Sequence, residues 1–510
     1  MLGHAKYAKG LNDRKINRSL VTNNRSMDRV VKQVEPMLSE IRGLVSMENV
    51  SIEEIEHMPS ENRITKADRK LQLTFKAALD KNLHNVVKNP SLGNLHIHAG
   101  SRTYKVENNQ AYFGGYNFME PEAQTFTMNI SAMRDMAEDD GFMRLVLPIS
   151  KNYWVHILRT YALKTEKGIG GGLLIITFKE GEIHVFTVTD NETKQQYMVI
   201  EPQYEVSKGT LFNIHYAVAT GLGIITGTAY FDETYVLVGE SLEFDSFKAV
   251  SYYSLRETVH SQYVTFSTNM YWVEMLLKQG KHNGYALNMI RDEKGAVKSG
   301  LVDWLHEETY GQIIYNMYQY PEFARAAIIL IDGTDKALDY QAAMYAVALE
   351  TLCTKLKDIY KMKFDGIIKD KGTWTRIRKP VTKSFVEACG RYSIDKAIID
   401  KISQKIPKLN DISNADKFKL VIERLGLKTL ASDNEAISQR NNLLHGELVE
   451  KTSEDSTDFD DMYYYSLVLH RLCSAILFKF AGYQGYLVNN AVLMDRKVAC
   501  ERKEPVLIEI

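Results

Sequence analysis

Cysteine is scarce in this 510-residue chain: Cys353, Cys389, Cys473 and Cys500 are the four, and no two form a C-x-x-C pair. That scatter suggests neither a disulfide framework nor a zinc cluster, and reduced, mostly buried thiols are expected. Long hydrophobic runs are also missing. The longest, such as Ala326 to Ile331, are far too short to span a bilayer, and the first twenty residues, with His4, Lys6, Lys9, Asp13 and Arg14, contain no apolar core of a leader peptide. A cytoplasmic protein without a membrane partner is therefore expected. Net charge is nearly absent, at −1, which argues against a non-specific polyanion binder. Internal repeats and low-complexity stretches are lacking too. What is present is 45% apolar and 25% charged residues, the balance of a globular protein that buries a real core across two to four domains.

Along the chain the pattern shifts several times. Residues 1–90 are read as a helical N-terminal arm, because Val30, Val31, Val34, Met37, Leu38, Ile41 and Leu44 recur at helical spacing and the charge-rich stretch ends near Pro90. Residues 91–265 change to short alternating or β-branched runs, among them Leu173 to Phe178, His184 to Thr189, Tyr197 to Ile200 and Tyr235 to Val238. Turn residues punctuate them and few helices intervene, so an antiparallel β-rich sandwich or barrel is expected. Helical periodicity returns in a connector over 266–330, with Trp272, Met275, Leu276, Ile313, Ile314, Met317 and Tyr318 as core candidates and Pro321 as a break. Gly333 and Asp335 precede the long helix that opens an all-α bundle over 331–490. Further helices are expected near Val381 to Cys389, Ile394 to Ile406, Asp416 to Leu425 and Phe459 to Phe480. The tail, 491–510, alternates through Val506-Leu507-Ile508-Glu509-Ile510 and is read as one further strand. The fold class is thus multidomain α+β.

Two glycine and histidine features in the β-rich block invite chemistry and are set aside. Gly168 to Gly172 is glycine-rich, but it lacks the Lys-Ser/Thr and following helix of a phosphate loop, and a hairpin connection is expected. His96 and His98 alternate on a strand and share a face, yet the motif offers no third histidine or carboxylate. No metal site and no cofactor is expected.

The chemistry-bearing stretch is Arg440-Asn441-Asn442-Leu443-Leu444-His445. An arginine, a neighbouring amide and a histidine supply a cation for phosphate, a hydrogen-bonding group and an acid/base, which is what metal-free RNA cleavage requires. Asn441 and His445 are four apart and share a helix face, while Arg440 sits about 100° round from Asn441, with a stem long enough to swing towards the imidazole. Ser432 with Glu435 reads as a capping box, which would place the sextet mid-helix. Leu443, Leu444 and Leu448 would anchor the opposite side. The bare spacing is a weak signal; the following Asn and the helical context strengthen it.

Arg440 to His445, continued by Gly446-Glu447, resembles the R-x(4-6)-H motif of the HEPN superfamily (higher eukaryotes and prokaryotes nucleotide-binding domains), in the form where Arg is followed by Asn. The string is similar to that of the ApeA-like anti-phage branch, and Ala348-Leu349-Glu350-Thr351-Leu352 is similar to that branch's first long helix. The resemblance covers residues 335–485, an HEPN-like helical bundle. It implies a metal-independent endoribonuclease acting as a homodimer or higher homo-oligomer, with Arg440 and His445 as catalytic pair and Asn441 in support. RNA would be cut through its own 2′-hydroxyl, leaving a 2′,3′-cyclic phosphate and a 5′-hydroxyl. Within an anti-phage, abortive-infection system, residues 91–265 would serve as the sensor of a phage-derived trigger.

Glu350 is a further candidate, placed to orient His445 or pair with Arg440; a solvated helix acid is the plain alternative. Tyr463, Tyr464 and Tyr465 suggest base stacking, although three consecutive tyrosines face three ways and at least one belongs to the core. From Lys355 to Lys408 there are fifteen Lys and Arg against six Asp and Glu, a local excess that permits a phosphate-tracking patch. Two other readings compete. The bundle could be a non-catalytic nucleotide-binding or dimerisation module. Alternatively the β-rich block could be the active part, a ligand-, carbohydrate- or peptide-binding domain with the bundle as its oligomerisation unit.

Overall fold

The computed structural model describes residues 29–31, 33–54, 61–77, 94–107, 109–117, 124–149, 161–165, 168–261, 307–447, 449, 457–494, 501–505 and 507–510. Trp272, Met275, Leu276, Leu448 and Cys500 lie outside them. An α+β architecture is present, with sheets in the N-terminal half and helices in the C-terminal half.

Twelve described strands form one large sheet. Its order is Arg29–Val31, Tyr161–Thr165, Gly168–Thr177, Glu182–Thr189, Gln196–Pro202, Phe142–Ile149, Thr234–Gly239, Phe247–Tyr253, Ala132–Asp135, Arg102–Val106, Leu95–Ala99 and Ser51–Ile52. Every pairing is antiparallel except the first, where Val30 lies parallel to Lys164. The central strands are buried on both faces, which is why they read as nearly unbroken apolar runs. Successive residues serve different cores. Leu145 and Leu147 point to the helical side, while Val146 joins Phe186, Val199, Tyr235 and Leu237 on the other.

That second face is covered by helix α1 (Val34–Leu44) and a five-stranded sheet whose residues Leu71, Leu73, Phe75, Phe126, Met128 and Ile130 share its core. The architecture is therefore layered sheet on sheet on helices, not a closed barrel. The expected helical arm over 1–90 is corrected: only Val34–Leu44 is α-helical among its described residues, burying Met37, Leu38, Ile41 and Leu44. Beyond it the chain is stranded. Lys70–Ala77 alternates buried and half-buried residues with a period of two, a pattern that its many charged neighbours obscured. The glycines Gly168 to Gly172 also lie within a strand, paired with Tyr161–Thr165, and not in a hairpin connection.

On the helical face lies an element that the sequence reading did not anticipate, α2 (Lys208–Thr226), capped by Ser207 and ended by Gly227 at φ 79°. It is buried nearly all round because the sheet lies on one side and α3 (Glu307–Gln319) and α4 (Pro321–Gly333) on the other. Helix-to-helix approach there requires glycine. A Cβ on Gly221 would lie 2.7 Å from Ile314 Cγ1, and one on Gly223 would lie 2.9 Å from Ile331 Cδ1. Gly221→Val is expected to destabilise the chain by roughly 1–3 kcal/mol or more through overpacking, read as a lowered midpoint in urea.

The segment expected as a connector is in fact part of the core: Ile313, Ile314 and Met317 are buried, and the proposed boundary at 330/331 falls inside α4. From α4 the core continues without a break into α5 (Leu338–Ile359), α8 (Asn414–Leu425), α9 (Ala431–His445) and α10 (Asp458–Phe480). Between them, α6 (Lys371–Arg391) and α7 (Lys396–Ser403) bury no residue and carry much of the local basic excess. The tail supplies a strand, Leu507–Glu509, antiparallel to Tyr486–Val488. Among the described residues no helix is long and apolar enough to cross a membrane.

Candidate functional site

Three helices place the motif. In α5, Ala342, Tyr345, Ala346, Leu349, Leu352, Cys353 and Leu356 recur at helical spacing and are buried, which leaves Glu350 on the flank of that face. Helix α8 starts where the Ser413 hydroxyl accepts the Asp416 N–H at 3.0 Å and turns Phe418, Val421 and Ile422 inwards. In α9 the Leu430 N–H donates to Asp433 Oδ2 at 2.7 Å, tying down the first turn.

The expected capping box is corrected. Ser432 lies inside the helix and accepts a bond from Arg471, while Glu435 pairs with Arg502 at 2.5 Å. The sextet is not mid-helix either. His445 is the last residue of α9, and Gly446 takes φ 68°, with the Glu447 N–H closing on Asn442 O at 2.8 Å. Glycine adopts that left-handed backbone without a Cβ clash, so the His445-Gly446 pair in the sequence was the stop signal.

Arg440 and His445 diverge. Five residues along a helix correspond to about 140° of rotation, and Arg440 takes the inward side. Its Nη1 lies 3.2 Å from Glu350 Oε2, its guanidinium carbon is 4.6 Å from the Phe418 ring centroid, and its side chain is only 6% exposed against 47% for Glu350. The arginine does not swing towards the imidazole, and no hydrogen bond joins it to His445 or Asn441. His445 and Asn441 are exposed on the far side. Of the two roles considered for Glu350, pairing with Arg440 is the one the geometry displays. Leu443 is buried and Leu444 half-buried, as an anchoring face requires. Of the three tyrosines, Tyr464 and Tyr465 belong to the core.

In front of Glu350 and Phe418 opens a cleft of about 560 Å³, lined also by Lys357, Lys363, Phe364 and Lys417. Arg440 is not on its wall and is separated from it by Glu350 and Phe418. The three lysines are balanced by Glu350, Asp365 and Asp411, so the cleft is of mixed charge. Burial holds the Cys353 thiol on its floor well above its ordinary pKa, which makes it a poor nucleophile.

Behind the motif helix lies a network that no motif announced. Arg471 of α10 is fully buried and bonds Asp433 Oδ1 at 2.6 Å, Glu504 Oε2 at 2.8 Å, Ser432 Oγ at 3.1 Å and Asn489 Oδ1 at 3.1 Å. Tyr464 OH also donates to Glu504. A charge inside the apolar run of α10 was the available signal, because a buried arginine needs anionic partners. Burial opposes the charge on Arg471, but Asp433 and Glu504 overcome it, and its pKa is raised.

For Glu504, burial raises the pKa while Arg471 and the hydrogen bonds lower it further, leaving it below the ordinary 4.5. A depressed carboxylate contributes stability that is complete above its unfolded pKa and lost as the pH falls through the lowered, folded value. Unfolding midpoints measured from pH 6 down to about pH 3 should therefore drop in the wild type and drop less steeply in Glu504→Gln.

Two fully buried histidines are core residues. His215 Nε2 lies 3.0 Å from the Tyr230 carbonyl, and burial lowers its pKa to about 4; burial takes His470 to about 3. Cys353 and Cys473 are free and buried, and Cys389 is free and half-buried.

Comparison with known proteins adds no relative. No protein-family model, curated protein or solved structure matches the chain.

Proposed function

We propose that this chain is a metal-independent endoribonuclease of the HEPN type, with His445 transferring protons and Arg440, once released from Glu350 and Phe418, holding charge that develops on the scissile phosphate. The observation that carries the reading is the Arg440-Asn441-x-x-x-His445 string on a helix packed against α5, with Glu350 engaging the arginine. Because the two side chains leave α9 about 140° apart, one chain alone does not bring them together. The resemblance implies that the active unit is a homodimer or higher homo-oligomer in which two motif helices complete each other's site, which suits that divergence. Attack of the 2′-hydroxyl would leave a 2′,3′-cyclic phosphate and a 5′-hydroxyl, and Asn441 would support the substrate from the His445 face.

The remaining parts follow from resemblance and from the fold's economy. The β-rich region would sense a phage-derived trigger and release an otherwise silent cytoplasmic effector in abortive infection. A second reading has an observation of its own. Arg440 is buried and occupied by Glu350 and Phe418, as in a bundle whose arginine serves packing and whose role is nucleotide binding or dimerisation beside a ligand-binding β domain.

Incubation of the full chain with end-labelled RNA in EDTA separates them. Cyclic-phosphate ends on RNA and no scission of the matching DNA support the nuclease; RNA left intact by a dimeric protein, alone and with lysate of phage-infected cells, supports the module.

A further inference from the structure

We propose that His96, Glu53 and Glu54, whose donor atoms all lie within 4.8 Å of one another, bind a divalent transition cation of the zinc class at the edge of the large sheet, with His98 beside Glu53 closing in as the fourth ligand. The sequence expectation of no metal rested on the lack of a carboxylate near the two histidines, and the fold supplies two. Ser51–Ile52 is the edge strand, pairing Ser51 with His98 and Ile52 with Ile97, so the residues that follow it are delivered beside His96. Backbone bonds hold them there: the Glu53 N–H donates to the His96 carbonyl at 3.0 Å, and Glu54 Oε2 accepts the His96 N–H at 2.8 Å.

The donor atoms of His96, Glu53 and Glu54 converge, and His98 stands beside Glu53 at the rim of that group. His96 Nδ1 lies 2.6 Å from Glu54 Oε1 and 3.8 Å from Glu53 Oε2, which is itself 3.7 Å from His98 Nε2. Ligands at zinc bond lengths of roughly 2.0–2.1 Å in a tetrahedron stand about 3.4 Å apart, so the separations of His96 and of His98 from Glu53 Oε2 are each close to that spacing, and the two imidazoles draw together on binding. The third is a hydrogen bond that the cation replaces by a small rotation of Glu54. On the far side of the ring, His98 Nδ1 is 3.0 Å from Thr103 Oγ1, and a proton on Nδ1 donated to that hydroxyl leaves Nε2 as the ligand.

Two imidazoles with two carboxylates favour zinc over magnesium or calcium, which prefer all-oxygen shells. The four side chains are partly exposed, so a cation has an open path in. Once bound it would staple the two-residue edge strand to Leu95–Ala99. The site is built from the N-terminal sheet, apart from the helices that carry Arg440 and His445, and does not depend on the nuclease reading.

Calorimetric titration of the metal-stripped full chain with zinc, repeated with cobalt to read its tetrahedral visible spectrum, tests the proposal. One cation per chain is expected, undisplaced by excess magnesium. His96→Ala and His98→Ala should each weaken binding at least about tenfold, and Thr103→Ala by a smaller factor. Unfolding midpoints of the variants in EDTA should match the wild type, because the replaced side chains are partly exposed. Zinc binding unchanged in the His96→Ala/His98→Ala double variant, or no zinc uptake by the wild type at equimolar concentration, would overturn the site and leave a surface ion pair.

Discussion

Alanine at position 445 is expected to reduce RNA cleavage by about 10²–10⁴-fold while leaving the unfolding midpoint where it was. The separation of the two effects is the point. His445 is exposed at the last turn of α9 and forms no hydrogen bond that the fold needs, so its loss should register only in the chemistry. Arg440→Ala should behave differently: cleavage falls by a comparable factor, and the chain also loses roughly 1–3 kcal/mol, because a buried stem and its stacking on Phe418 disappear. Arg440→Lys retains the charge without the planar fork and should recover stability better than rate. Single-turnover rates and urea midpoints on the same preparations check all three. Equal cleavage by wild type and His445→Ala would remove His445 from the chemistry and overturn the catalytic pair.

The largest loss of stability should come from Arg471, not from the motif. Arg471→Met leaves Asp433 and Glu504 facing each other in a dry interior, and removal of one member of a buried ion network typically costs about 3–5 kcal/mol. Replacing the carboxylates as well, in Arg471→Met/Asp433→Asn/Glu504→Gln, should restore part of that, since no charge is then stranded. Denaturant unfolding of the two variants is the measurement; a triple variant less stable than the single would show that hydrogen-bond geometry, not charge, holds the network.

The C-terminal helices were legible in the sequence because their apolar faces recur at helical spacing: Asp416 to Leu425 lies within α8, and Phe459 to Phe480 spans all but the first residue of α10. The strands at Leu173 to Phe178, His184 to Thr189 and Tyr235 to Val238 were legible through their β-branched runs. Helix α2 was not, because an element sandwiched between a sheet and two helices has no polar face, and so no period to betray it. Strand Lys70–Ala77 was misread in the opposite sense, its alternation masked by charges placed on the half-buried face.

Within the site, the motif residues were found but their directions were not. Which way a long arginine turns is settled by what α5 and α8 offer it, here Glu350 and Phe418, and those neighbours are 90 and 22 residues away. The same holds for Glu53 and Glu54, brought to His96 across 42 residues and more by pairing at a sheet edge. Partners at that range leave no trace in local spacing.

Helix α4 belongs to two neighbourhoods at once, lying against α2 on the sheet side and against α5 and α10 on the bundle side. A protease cut or a cloning boundary on either side of it would strip one half of its floor, and neither fragment should be recovered as a well-behaved product. The same arrangement makes α4 the place where the core behind the sheet and the core of the helices behind Arg440 become one.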